Sequence, residues 1–241
     1  SAFHTPVLYK ETLELLNIKP DGRYVDCTFG GGGHSKGILS ALGKKGKLIA
    51  FDQDKDAQKN LLQDERFIFI PENFRHIQRF LRLHDVLPVD GILADLGVSS
   101  FQFDTGERGF STRFNGPLDM RMNTSQHKTA AHILMEYDER SMHKMFEKYG
   151  EVSNAKTLAG HIVKTRKTMQ LKTIDAFKVM LQPVMMGNPN KYLAQVFQAL
   201  RIEVNEELIA LEEMLEQLPA IMKKNARCAI ISFHSMEDRL V

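Results

Sequence analysis

Between residues 23 and 96, short runs rich in β-branched and aromatic residues alternate with longer stretches whose apolar positions recur every three or four residues. This alternation predicts βαβ units on a parallel sheet. Four strands are expected: RYVDCTF (residues 23–29), KLIAFD (47–52), FIFI (67–70) and VDGILAD (89–95). The first leads into a glycine cluster and the helix-like SKGILSALG. The second leads into DKDAQKNLLQ, where Asp54 is placed to cap a helix, the third into FRHIQRFLRLH, and the fourth into the small-residue run LGVSS. Open α/β sheets bind ligands outside the carboxyl ends of their strands, which directs attention to residues 26–34, Asp52, 72–74 and 95–103.

After Phe103 the rhythm changes. Residues 104–122 (DTGERGFSTRFNGPLDMRM) hold four Gly or Pro residues and no consistent period, predicting an ordered loop. From 128 to 183 helical spacing returns: Ile133, Leu134 and Tyr137; Met142, Met145 and Phe146; Leu158, Ile162 and Val163; Phe177, Val179, Met180 and Leu181. MMGNPNKY interrupts it. One long helix over 194–218 is then expected to lead into a fifth strand, ARCAIISFHS (226–235). The pattern predicts an α/β domain of residues 1–103 and 193–241, interrupted by an all-α domain at 104–192.

Composition narrows the class. A length of 241 residues fits one large domain or two smaller ones. With 43% hydrophobic and 26% charged residues the chain matches soluble globular proteins, which excludes collagen-like and low-complexity classes. No run approaches the ~20 apolar residues of a membrane span. The start, SAFHTPVLYKETLELL, lacks a basic and then apolar leader, so a cytoplasmic location without a membrane partner is expected. Cys27 and Cys228 each lie in an apolar run and are expected to be reduced, buried thiols. Nine histidines include neither HExxH nor a Cys/His pair at ligand spacing, so no metal is expected. A net charge of +2 allows a nucleic-acid partner without requiring one.

The chemistry concentrates in DCTFGGGGH (26–34). Four glycines between a strand and a helix permit positive φ and let backbone N–H groups approach an anionic ligand at the helix start. The segment is not a P-loop, lacking GK[ST]. Nor is it the dinucleotide fingerprint, whose third glycine would fall on Ser35 or Lys36. Asp52, 22 residues beyond Gly30 at the end of the second strand, stands where a ribose diol is gripped. Phe74, after the third strand, is a candidate to flank an adenine. A nucleoside grip without a pyrophosphate fingerprint points to S-adenosylmethionine. Asp95 then faces the methyl group, followed by small and hydroxylic residues that suit an amino-group acceptor. An exocyclic base amine has its lone pair delocalised into the ring, and a carboxylate that accepts its N–H bonds turns that lone pair outward.

HTPVL (4–8), DCTFGGGGH, DLGVSS (95–100) with Gln102, ERGFS (107–111), GPLDMRM (116–122), FQALRIEVN (197–205) and SFHSMEDR (232–239) together resemble the bacterial MraW family of ribosomal RNA small-subunit methyltransferases. The resemblance spans nearly the whole chain. It implies a class I methyltransferase (Rossmann-like) sheet with an inserted helical domain. It also implies methyl transfer from S-adenosylmethionine to N4 of a cytidine in 16S rRNA, near the decoding centre. Cofactor contacts fall by position on Gly32, Gly33, His34, Asp52, Phe74, Asp95 and Gln102. The family continues past SFHSMEDR, so the last strands of its seven-stranded sheet are expected to be absent from this chain. Many amino-methyltransferases follow the catalytic acid with two prolines and an aromatic that stacks on the base. Leu96, Gly97 and Val98 stand there, leaving Phe101, Phe103, Phe110 and Phe233 as candidates.

Weaker signals remain. Lys156, Lys164, Arg166, Lys167, Lys172 and Lys178 form a basic stretch that either tracks phosphates or is a solvated helix face. Six glutamates between 203 and 216 make a surface that repels RNA. His34 and His234 read as donors lining the site, and Arg108, Arg113 and Arg121 as phosphate or cofactor-closing groups, or as structural ones. Expected partners are 16S rRNA or the small subunit, with a homodimer also open. A methyltransferase for DNA or a small metabolite, and a non-catalytic RNA-binding factor, are the alternatives.

Overall fold

The computed structural model of the chain describes residues 8–232. In order along the chain lie α1 (Tyr9–Leu16), β1 (Arg23–Asp26), α2 (Gly33–Ala41), β2 (Lys47–Phe51), β3 (Phe67–Ile70), α3 (Ile77–Leu83) and β4 (Val89–Asp95). Helices α4 (Ser100–Asp104), α5 (Ala130–Glu136), α6 (Glu139–Gly150), α7 (Ala155–Thr165), α8 (Ile174–Leu181) and α9 (Pro189–Asn205) follow. Helix α10 (Glu207–Ile221) and β5 (Met222–Ile231) complete the order. The chain divides into two compact units, Ser1–Gly97 with Leu208–Val241, and Val98–Glu207.

The first unit is built on a sheet of order β3-β2-β1-β4-β5, every neighbouring pair parallel. Successive strand residues point to opposite faces, and here both faces are covered. Tyr24, Leu48 and Leu93 pack with Leu16 of α1 and Ile38 and Leu39 of α2. Their neighbours Val25, Ile49 and Ile92 pack with Ile77 and Leu81 of α3 and with Leu211 and Met214 of α10. The strands therefore read as continuous apolar runs, as a doubly covered sheet requires.

Three elements differ from the sequence pattern. Residues after Asp54 form a 3-10 turn, Lys55–Asn60, which Asp54 caps by accepting from the Asp56 N–H at 2.9 Å. Strand β5 begins at Met222, four residues before the expected start, because it pairs irregularly with β4: Met222 lies opposite Val89 but Arg227 opposite Gly91, with Asn225 at φ 67°. The expected single helix over 194–218 is broken at Glu206, which takes φ 48°.

The break has a tertiary cause within the second, helical unit. The Asn205 side chain is buried; its Oδ1 accepts from the Met122 N–H (2.8 Å), while Nδ2 donates to the carbonyls of Met120 (2.8 Å) and Arg201 (2.9 Å). It thereby stabilises Met120 at φ 63°. The boundary also moves outward from the expected 104–192, since Tyr192, Leu193, Val196, Phe197 and Leu200 of α9 join the core formed by Met142, Met145 and Phe146 of α6. Val179, grouped with the core by its spacing, is exposed instead.

Segment 104–122 is ordered, as expected, around a 3-10 turn at Gly106–Arg108. Gly109 is obligatory there: it has φ 76°, and a Cβ would lie 2.5 Å from the Pro117 carbonyl oxygen. Arg108 and Arg121, for which the sequence leaves phosphate or cofactor contact and a structural role open, brace this segment. Arg108 is buried and donates to the carbonyls of Arg121 and Met122 (2.8 and 3.4 Å). Arg121 forks onto Asp119 (2.7 and 2.9 Å) and reaches the carbonyls of Thr124 and Gln126 (3.0 and 2.7 Å). The irregular backbone of this loop needs donors for its carbonyls, and the two guanidinium groups supply them.

Asn205→Ala leaves a buried N–H and a buried C=O unpaired and is expected to destabilise the protein by about 2–4 kcal/mol. Asn205→Asp, which sets a carboxylate against two carbonyls, should not rescue it. Urea unfolding followed by circular dichroism checks this; an unchanged midpoint for Asn205→Ala contradicts it.

Candidate active site at the carboxyl ends of the strands

The glycine turn joins β1 to α2. Gly30 and Gly32 take φ 52° and 83°, and a Cβ at Gly32 would press on the Phe29 ring at 3.1 Å. A Cβ at Gly31 would meet no described atom within 4 Å. Helix α2 begins at Gly33 with Gly32 as its cap and no capping side chain, so its first-turn N–H groups are available donors. His34 and Ser35 occupy that first turn and are buried.

Two carboxylates hold the turn. Asp52, immediately after β2, accepts from the Gly30 N–H through Oδ2 (2.7 Å) and from the Asp54 N–H through Oδ1 (2.9 Å). Asp26, the last residue of β1, accepts from the Ser35 hydroxyl (2.7 Å) and the Thr28 N–H (3.1 Å). Asn60 adds a bond to the Gly30 carbonyl at 3.1 Å. The Thr28 hydroxyl accepts from the Asp95 N–H at 2.7 Å, fixing the end of β4 against the end of β1. Asn73 donates to Gln53 at 3.2 Å and caps the turn at Phe74–His76, which sets half-buried Phe74 after β3 near the loop that follows Asp52.

The structure thus brings Gly32, Gly33, His34, Asp52, Phe74 and Asp95 to one end of the sheet. The His34 Nδ1 lies 3.8 Å from Asp95 Oδ2. Burial pushes Asp26, Asp52 and Asp95 each up to about 6, against the hydrogen bonds that lower Asp26 and Asp52; the charge of Asp26 raises the other two further. Burial lowers His34, keeping its ring neutral near neutral pH. Asp26 and Thr28 lie in the segment the sequence singles out but carry no assigned role there, and Ser35 and Asn60 are given no role by the sequence reading. The only available signal is an acid ending a strand two residues before a threonine, at the mouth of a glycine turn.

The remaining candidates belong to the helical unit or lie outside the described residues. Gln102 lies in the helical unit, where it is buried and closes a capping box with Ser99 at the start of α4. Phe233 and His234 lie outside the described residues. Among the aromatics named for base stacking, Phe110 is in the helical core, whereas Phe103 is exposed with the Arg113 guanidinium 5.1 Å from its ring centre. Of the basic stretch, Arg166 donates to the carbonyls of Leu134 and Tyr137 and Lys178 to that of Thr112. Lys156, Lys164, Lys167 and Lys172 are exposed. Cys27 is a buried free thiol and Cys228 a half-buried one. Among the described residues no group of three His, Cys, Asp or Glu is placed to hold a metal, and no helix is long and apolar enough to cross a membrane.

The fold and this site define a class I, S-adenosylmethionine-dependent methyltransferase. Residues 1–241 match the MraW methylase family, and the chain belongs to it. It is 55% identical over 240 residues to the ribosomal RNA small subunit methyltransferase H of Flavobacterium johnsoniae, covering 99% of this chain and 80% of that protein. To the protein of the same name from Bacteroides thetaiotaomicron it is 51% identical, over 99% and 79%. Among solved structures, TrmN from Thermus thermophilus is 26% identical over 38% of this chain and 28% of its own, with a TM-score of 0.33.

The Asp26 shift fixes a sign. The folded state binds this proton more tightly than the unfolded chain, so Asp26 costs stability above about pH 6, and the cost disappears as pH falls toward 4. Asp26→Asn should therefore gain on the wild type by up to about 3 kcal/mol between pH 4 and pH 7. Urea midpoints of both proteins across that range test it, and a pH-independent difference would contradict it.

Proposed function

We propose that this chain transfers the methyl group of S-adenosylmethionine to the N4 amino group of a cytidine in 16S rRNA, near the decoding centre of the small ribosomal subunit. The observation that carries the reading is Asp95: a carboxylate whose side chain is 26% exposed, held by its backbone to Thr28 beside the glycine turn. The names of the relatives support a small-subunit rRNA substrate. The N4 position rests on the family resemblance and on the chemistry of a carboxylate facing an amine.

The residues present fit the cofactor. The first-turn N–H groups of α2 are donors for a methionine carboxylate, open space flanks Gly31, and His34 Nε2 is a buried ring nitrogen with no hydrogen-bond partner among the described residues. Each oxygen of Asp52 uses one lone pair on a backbone N–H and keeps another for a ribose hydroxyl. Phe74 is placed to cover the adenine. When bound, the cofactor supplies an electrophilic sulfonium methyl. Asp95 accepts the N–H bonds of the target amine, turning its lone pair out of the ring and toward that methyl, and is placed to take up the proton that the methylated amine releases. Catalysis is thus mostly positioning and electrostatics. The cytidine must leave its stack to reach the carboxylate.

Asp95→Ala is expected to lower turnover by about 100-fold or more while leaving cofactor affinity within a few-fold. Asp52→Ala should weaken cofactor binding by about 10-fold or more, through the ribose bonds and through the glycine turn it braces. Calorimetry with S-adenosylhomocysteine separates the two; unchanged affinity in Asp52→Ala would remove its ribose role. Because protonation removes the charge of Asp95 and turns one of its two acceptor oxygens into a donor, the methylation rate should fall as pH drops through about 6. Mass mapping of N4-methylcytidine after incubation with 16S rRNA and with small subunits tests the substrate, and product found only in DNA or small molecules refutes it.

A further inference from the structure

The glycine turn ends in a side chain whose two ring nitrogens have not yet been given specific partners in the reaction above. The His34 imidazole is 5% exposed and stacks on Tyr9, ring centres 6.0 Å apart and planes 28° from parallel. Its Nδ1 faces Asp95 Oδ2 at 3.8 Å, and its Nε2 is buried without a hydrogen-bond partner among the described residues. An unpaired buried ring nitrogen is costly unless a ligand meets it. Burial favours the neutral ring, in which one nitrogen donates and the other accepts. An ionised carboxylate can only accept, so the proton belongs on Nδ1 and the lone pair on Nε2. The surrounding first-turn amides of α2 are all donors, suited to a carboxylate. An α-amino acid carries an ammonium as well, which needs an acceptor that those amides do not provide.

We infer that His34 couples Asp95 to the amino-acid end of the cofactor: on cofactor binding Nδ1–H, 3.8 Å from Asp95 Oδ2 in the free protein, closes onto that oxygen as a donor, while Nε2 accepts from the α-ammonium. This role rests on the function proposed above. It makes His34 a binding residue for the ammonium and a positioning residue for Asp95, so the ring that secures the methyl donor also orients the carboxylate that meets the methyl acceptor.

Nitrogen-15 NMR of histidine-labelled wild-type protein at neutral pH should show the neutral Nδ1–H tautomer of His34, with the Nε2 resonance shifting when S-adenosylhomocysteine binds. An Nε2–H tautomer, as expected if the ring donated to the methionine carboxylate, or a doubly protonated ring, would overturn the inference. Calorimetry gives a second readout. His34→Phe keeps an aromatic ring against Tyr9 and should lose about 10- to 100-fold in affinity for S-adenosylhomocysteine. Affinity for the deamino analogue, which keeps the carboxylate and lacks the ammonium, should change by no more than about two-fold. Equal losses for both ligands would remove the role of His34 alone. Wild-type protein that bound neither would remove the cofactor reading itself.

Discussion

Asp26 ends β1 inside the protein, 1% exposed, and its carboxylate is the point to which the rest of the site is tied. One oxygen takes the Ser35 hydroxyl in the first turn of α2, and the other takes the N–H of Thr28, whose own hydroxyl receives the N–H of Asp95. The strand that carries the glycine turn therefore fixes both the helix start behind that turn and the end of β4 beside it. Asp52 does the same from the other side by bonding Gly30 and Asp54. Burying a carboxylate is unfavourable unless hydrogen bonds compensate, and the upward shift of Asp26 shows that they compensate only in part. Some stability is lost so that three strand ends stay in register, an arrangement expected where geometry serves chemistry.

The helical unit solves a different problem with similar means. Its segment between α4 and α5 has little regular structure, so some of its backbone carbonyls need partners from side chains. Arg108, Arg121 and Asn205 supply them, and the sequences in which they stand, ERGFS, GPLDMRM and FQALRIEVN, converge on one braced loop. The glutamates that read in the sequence as a surface repelling RNA are partly taken up in the same way: Glu203 accepts from the Tyr137 hydroxyl, Glu207 pairs with Arg201, and Glu213 pairs with Arg75.

Legibility in the sequence follows from where each cause lies. The four strands before Gly97 were readable because a parallel sheet covered on both faces demands unbroken apolar runs. Gly30 and Gly32 were readable because positive φ excludes most other residues, and Asp52 because its spacing from the turn is fixed by one βαβ step. The break at Glu206 was not, since nothing between residues 194 and 218 interrupts the helical period. Its cause is Asn205 reaching Met120 and Met122, more than 80 residues earlier. For Arg108 and Arg121 the structural role stays one of two open readings for the same reason: a carbonyl that receives a guanidinium leaves no mark on the residue type that bears it. Asp26 and Thr28 stood in plain view but had no assigned duty until their partners were known.

The electrostatics of the strand ends connect these structural ties to the proposed chemistry. Asp26 raises both Asp52 and Asp95, so negative charge at any one of the three is less favourable while the others are ionised. A positively charged ligand offsets that repulsion and a neutral one does not. Under the proposed reaction the methyl donor carries a sulfonium charge that the demethylated product lacks. The same cluster then favours the donor, and its preference weakens once the methyl group has gone. Neutral His34 suits this arrangement: a histidine cation beside Asp95 would cancel part of the field that draws the sulfonium in, whereas the uncharged ring leaves the charge of the carboxylate in place.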